Sequence, residues 1–110
     1  MKKETITISS SKGVKKIEKS KILFCKQYLV GTLIELSDGN HYLLKERLSE
    51  LRNFLHGPSF FMISNRELIN LEYIEAVFSD EIVMINNKTI RVSGIRKKML
   101  VKRIWKEAWI

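Results

Sequence analysis

The chain has 110 residues and a mass of 12.9 kDa, enough for a single domain spanning 1–110 and too little for most multidomain architectures. With 45% hydrophobic and 29% charged residues, one Pro and five Gly, it is globular in composition and not a low-complexity linker. The net charge of +8 is uneven: residues 1–21 carry +5, residues 88–110 carry +7, and residues 22–87 carry −4. No apolar run approaches the roughly 18 residues of a membrane helix, and the basic start lacks the apolar stretch of a secretory signal.

Taken in chain order, Thr5-Ile6-Thr7-Ile8 alternates polar and apolar residues, which predicts a half-buried strand. Residues 9–13 form a Ser- and Gly-rich turn, and residues 14–18 a second short strand. Ile22-Leu23-Phe24-Cys25 is continuously apolar and predicts a more buried strand, with residues 27–31 as a loop. Cys25 lies inside that apolar run and has no partner for an internal disulfide. A small buried hydrophobe in a reducing, cytoplasmic setting is expected rather than a nucleophile.

Residues 32–36 and 41–44 read as two strands joined by Ser37-Asp38-Gly39-Asn40, a strong hairpin signal. Leu44, Leu48, Leu51 and Leu55 then follow at steps of 4, 3 and 4, which predicts one stripe of a helix ended by Gly57-Pro58. Such a stripe is read as core. Residues 60–63 and 68–71 are apolar strands interrupted by polar Ser64-Asn65-Arg66-Glu67. Residues 74–78, 81–85 and 89–92 complete the strands, with Asn86-Asn87-Lys88 as a hairpin turn. A last helix starts near Ser93, which can cap it; Lys97 falls on its apolar side, leaving a start after Lys97 open. Leu100, Val101, Ile104, Trp105 and Ala108 share the apolar side, with Arg96, Lys98, Lys102, Arg103 and Lys106 opposite.

Several chemistries lack their residues. The five glycines are isolated, so no phosphate-binding loop forms. His41 and His56 have no Cys at metal-ligand spacing, and no motif orders a nucleophile with its base. Neither an enzyme, a cofactor, a metal nor a small-molecule substrate is expected. The basic ends point to a polyanion partner; the competing reading is a solvated face kept for solubility. Zinc-finger, zipper and helix-turn-helix patterns are all missing.

Residues 60–74 resemble the signature of the LytTR DNA-binding domain, roughly Phe-x-Arg-x-His-x-Ser-x-Leu-Val-Asn-x-x-x-Ile. Phe60, Leu68, Ile69, Asn70 and Ile74 match it, while Met62, Ser64 and Arg66 occupy its Arg, His and Ser positions. The Asn86-Asn87-Lys88 turn, Arg91-Val92-Ser93 with the basic residues after it, and the upstream Asp38-Gly39 hairpin keep the family's order, over about residues 5–100. Gly94 stands where the family carries an Arg, with Arg96 two positions later.

The resemblance implies a mainly β fold of elongated antiparallel sheets, with a short mid-chain helix and a C-terminal amphipathic helix. It also implies a sequence-specific transcriptional regulator that meets double-stranded DNA through loops 26–32, 64–66 and 93–98. The candidate DNA-binding residues are Gln27, Tyr28, Ser64, Asn65, Arg66, Ser93, Arg96 and Lys97. Arg suits the two acceptors of guanine and Asn the donor–acceptor pair of adenine. Asn65 could instead close a turn, Arg66 could pair with Glu67 or Glu72, and Tyr28 could pack; Asn70 is expected to serve the fold. Many family members carry a receiver domain, and none is expected here because strand pattern begins at Thr5. A homodimer on repeated half-sites fits the family. The alternatives are a protein-interaction module, for example one partnering a membrane protein or an upstream regulator, and a non-specific nucleic-acid binder.

Overall fold

A computed structural model describes residues 4–10 and 12–106, with the side chains of residues 105 and 106 left aside. Five strands form the central sheet in the order β5-β4-β3-β7-β6, every neighbouring pair antiparallel: β3 (Ile22–Tyr28), β4 (Gly31–Leu36), β5 (His41–Leu44), β6 (Phe60–Ser64) and β7 (Glu67–Asn70). A ribbon of β1 (Thr5–Ser10) and β2 (Gly13–Glu18) and a three-stranded sheet of β8 (Ile74–Val77), β9 (Glu81–Met84) and β10 (Thr89–Arg91) complete the β structure. Two α-helices are described, α1 (Leu48–Leu51) and α2 (Gly94–Lys106).

The central sheet lies between two cores, and this explains its sequence. Ile22 and Cys25 of β3 join one cluster with Ile6, Ile8 and Ile17 of the ribbon and Leu48, Leu51 and Leu55. Leu23 and Phe24 join the other, with Ile82, Met84, Ile90 and Leu100. A strand covered on both faces needs apolar residues at every position, so the alternation seen in β1 disappears. Strand β7 repeats the arrangement, with Leu68 in the first core and Ile69 in the second. Within the first core the Cys25 thiol is inaccessible, and burial pushes its pKa up to about 12.

The mid-chain helix is shorter than the leucine stripe predicts. Leu44 ends β5, opposite Thr32, and only the four residues of α1 are α-helical before turns carry the chain to Leu55. The leucines are still buried, so the stripe reports the core while overstating the helix. The C-terminal helix starts at Gly94 rather than after Lys97: the Ser93 carbonyl accepts the Lys97 amide at 2.7 Å. Leu100 is fully buried on this helix, and the Trp105 and Ala108 positions lie outside the side chains described.

Two polar residues complete the frame. Asn70, 1% exposed, donates through Nδ2 to the Ile22 carbonyl at 2.9 Å and accepts the Glu72 amide at 3.0 Å. It therefore ties β7 to β3 and shapes the turn that leads into the three-stranded sheet, as the sequence led us to expect. Asn87 takes the left-handed conformation, φ 67°, that a tight β9–β10 turn requires. Gly31, at φ 150°, has no such substitute: a Cβ there would stand 2.0 Å from the Leu44 carbonyl oxygen. Gly31→Ala is therefore expected to push β4 from β5 and cost on the order of 3 kcal/mol, read as a lowered denaturation midpoint.

Candidate nucleic-acid interface

The three loops singled out in the sequence meet at one end of the central sheet. Strand β3 runs to Tyr28 and β4 resumes at Gly31, so the expected loop shrinks to a turn at Leu29 and Val30. Beside it, Ser64 pairs with Glu67 across the two-residue turn Asn65-Arg66. Antiparallel pairing of Lys26 with Glu67 sets the turns side by side, and the Gln27 amide donates to the Arg66 carbonyl at 2.8 Å. Neither Asn65 nor Arg66 has positive φ, so the mirror-image turn usual in short hairpins is not used. A register shift between Met62 and Ser64 accompanies the turn, and such bulges add local twist.

The start of α2 brings the third loop in. Arg96 donates through Nη1 to the Met62 carbonyl at 2.9 Å and through Nη2 to Asn65 Oδ1 at 3.3 Å. A charged donor on a backbone carbonyl makes a stronger tie than a neutral one. Arg96 is thus half-buried and positions Asn65, while the Asn65 side-chain amide nitrogen stays available to an outside acceptor. Ser93 is exposed and Lys97 half-buried on the first turn of the helix.

Other candidates differ in how much of their chemistry remains. Arg66 is exposed, with no side-chain partner among the described residues, so neither Glu67 nor Glu72 neutralises it. Ser64 Oγ donates to Glu67 Oε1 at 2.9 Å and accepts the Arg66 amide at 3.3 Å, holding the turn. Tyr28 is 44% exposed, and the Lys26 ammonium lies 5.4 Å from its ring centre. Gln27 turns inward: its Oε1 accepts the Leu48 amide at 2.6 Å and the Thr32 hydroxyl at 3.3 Å, and its Nε2 donates to the Tyr28 carbonyl at 2.8 Å. Its side chain is therefore committed to α1 and the β3–β4 turn.

Sequence reasoning passed over Lys45 and Arg47, which the β4–β5 register carries to this same end, both exposed. No motif or turn signal marks them; the pairing of Leu44 with Thr32 is what places them there. Leu29 and Val30 were also passed over; they are 101% and 74% exposed at the tip of the β3–β4 turn. Elsewhere cations are partly neutralised. Lys88 lies 3.4 Å from Glu35, Lys19 lies 3.1 Å from Glu4, and Arg91 lies 3.7 Å from Asp80. Among the described residues no group of three or more potential metal ligands occurs, and no helix is long and apolar enough to cross a membrane.

The domain is mainly β, its turns 29–30 and 65–66 lie side by side at one end of the central sheet, and α2 is braced against the second of them through the Arg96–Asn65 hydrogen bond. The description of the LytTr DNA-binding domain matches residues 12–105, and the chain belongs to that family. Its fold is similar to a solved structure described as the LytTr DNA-binding domain of a methyl-accepting/DNA response regulator from Bacillus cereus. The TM-score is 0.78 at 19% identity, covering 94% of this chain and 98% of that one. Comparison with curated proteins gives no match.

The inward geometry of Gln27 separates it from its neighbours. Gln27→Ala is expected to lower stability by about 1–2 kcal/mol, because the Leu48 amide loses its acceptor. Leu29→Ala, at a fully exposed position, should leave the thermal melt unchanged.

Proposed function

We propose that the chain is a sequence-specific transcriptional regulator that reads double-stranded DNA through the turns at this end of the central sheet. The observation that carries the reading is the convergence of turns 29–30 and 64–66 with the start of α2, tied by the Gln27–Arg66 and Arg96–Asn65 hydrogen bonds. Exposed Arg66, Lys45 and Arg47 supply positive charge beside hydrogen-bonding groups that can reach base edges. Membership in a family of DNA-binding domains supports the class of partner.

Roles divide by geometry. Asn65 and Arg66 sit at the tip of their turn and are the candidate base readers, with Ser64 shaping that turn. Arg96 acts first on Asn65, and its remaining donors, with Lys97 and Ser93, suit phosphate oxygens. Tyr28 suits a sugar or base face, and Leu29 suits a thymine methyl. Gln27 enters through its hold on the β3–β4 turn.

The electrostatic part is measured by salt. With about five phosphates contacted, log K should fall against log salt with a slope of roughly −4 to −5. A slope near zero would rule out the inferred footprint.

The specific part is measured on cognate sites selected from a random pool. Asn65→Ala or Arg66→Ala should cost on the order of 1–3 kcal/mol on the cognate site and relax selection at one or two base positions, with the melt unchanged. Lys97→Ala should weaken cognate and scrambled duplexes alike. Full affinity and base preference in both turn variants would remove this turn as the reader. Comparable affinity for every duplex would instead favour a non-specific binder.

A further inference from the structure

A cleft of about 300 Å³ opens between β6, the turns after α1 and the outer side of α2. Its floor is apolar, with half-buried Phe60 and Met62 and half-exposed Met99. Its rim carries Arg52, Arg96 and Arg103, and no Asp or Glu lines it among the described residues. Three guanidinium groups share this rim with no carboxylate among its lining residues, so the cleft presents positive potential that an anion would complement.

The arginines are held in place but not used up. Arg103 contacts the Gly57, Pro58 and Phe60 carbonyls at 3.0, 3.1 and 3.4 Å, all through Nη2. Its Nη1 and Nε donors have no such contact. Arg96 spends one bond from each terminal nitrogen. The exposed Arg52 side chain has no partner among the described residues. A pre-positioned guanidinium with spare donors is the group best matched to a carboxylate. The volume lies at the small end of ligand sites, and the lining is shared about evenly between polar and apolar surface, as a ligand with one charged and one apolar end requires.

We infer that this cleft is a binding site for a small anionic amphiphile, a carboxylate carried on a medium-length apolar body. The carboxylate meets Arg52 and Arg103, and the body lies on Phe60, Met62 and Met99. Arg96 stands on the same rim and also holds Asn65, so a carboxylate that draws the Arg96 guanidinium into the cleft releases Asn65, and the ligand and DNA act against each other; this second part rests on the proposed DNA reading, whereas the site itself does not. By linkage each weakens the other by the same factor.

The probe is decanoate below its micelle concentration, with decanol as the uncharged control, titrated into the full chain and followed by amide NMR shifts. Saturable shifts around Leu55, Phe60, Met62 and Met99 are expected with decanoate, and much weaker ones with decanol. Arg52→Gln, at an exposed side chain without a partner, should weaken decanoate roughly fivefold or more with an unchanged melt. Arg103→Lys, which keeps the charge but not the planar fork, should weaken it less than Arg103→Gln. No saturable shifts, equal binding of decanol, or indifference to Arg52→Gln would overturn the site. Binding of an acidic amphipathic peptide without binding of decanoate would also overturn it and reassign the cleft to a protein partner. Anisotropy of a labelled duplex with and without saturating decanoate then reads the coupling: several-fold weaker DNA binding supports it, and unchanged DNA affinity overturns the antagonism. Absence of any DNA binding overturns the DNA reading while the NMR titration still decides the cleft.

Discussion

Strand β3 is buried from both sides, and the rest of the molecule is arranged around that requirement. Its run Ile22-Leu23-Phe24-Cys25 can be satisfied only if one layer covers each face. The ribbon and the α1 turns cover one face, while the three-stranded sheet and α2 cover the other. Each fully buried aliphatic side chain contributes about 1.5–3 kcal/mol, so leaving either face bare would forfeit several such terms. Asn70 reinforces the arrangement by bonding the Ile22 carbonyl from the neighbouring strand.

The interface inherits its rigidity from this frame. Beyond Cys25 the strand leaves the double cover, and Lys26, Gln27 and Tyr28 emerge at the sheet end with rising exposure. Gln27 returns a side chain to the α1 backbone, so the β3–β4 turn is anchored beneath its exposed Leu29 and Val30 tip. The neighbouring turn is held through the Arg66 carbonyl and through Arg96, which reaches over from α2. The base reading proposed for these turns depends on such support, because a small displacement loses hydrogen-bond geometry. The exposed cations here contribute little to folding, since the side chains of Arg66, Lys45 and Arg47 form none of the ion pairs found among the described residues.

Arg96 shows how one residue can carry several consequences. On a helical projection it belongs to the solvent side of α2, and the structure half-buries it against Met62 and Asn65. Arg103 behaves alike, reaching the carbonyls around Pro58. Long guanidinium side chains can cover neighbouring surface while keeping donors for other partners, so a periodicity that sorts by polarity places them wrongly. The same reach joins the turn at Asn65 to the cleft.

By itself the sequence determined most of the strands, both hairpin turns around Asp38-Gly39 and Asn86-Asn87, the buried state of Cys25, and the family. These follow from local signals: alternation, turn residues that tolerate their backbone angles, and motif spacing. It also pointed to the three loops, through the resemblance and the charge near Ser93. Only the tertiary structure decided that the leucine stripe holds just four α-helical residues, that Gln27 faces inward, and that Lys45 and Arg47 join Arg66. The reason is physical: a leucine step of four fits a helix and equally fits a strand followed by a buried turn, so contact with the core decides between them. Likewise, which polar side chains remain available depends on carbonyls and amides supplied by strands far away in sequence, such as the Met62 carbonyl that receives Arg96 and the Leu48 amide that claims Gln27.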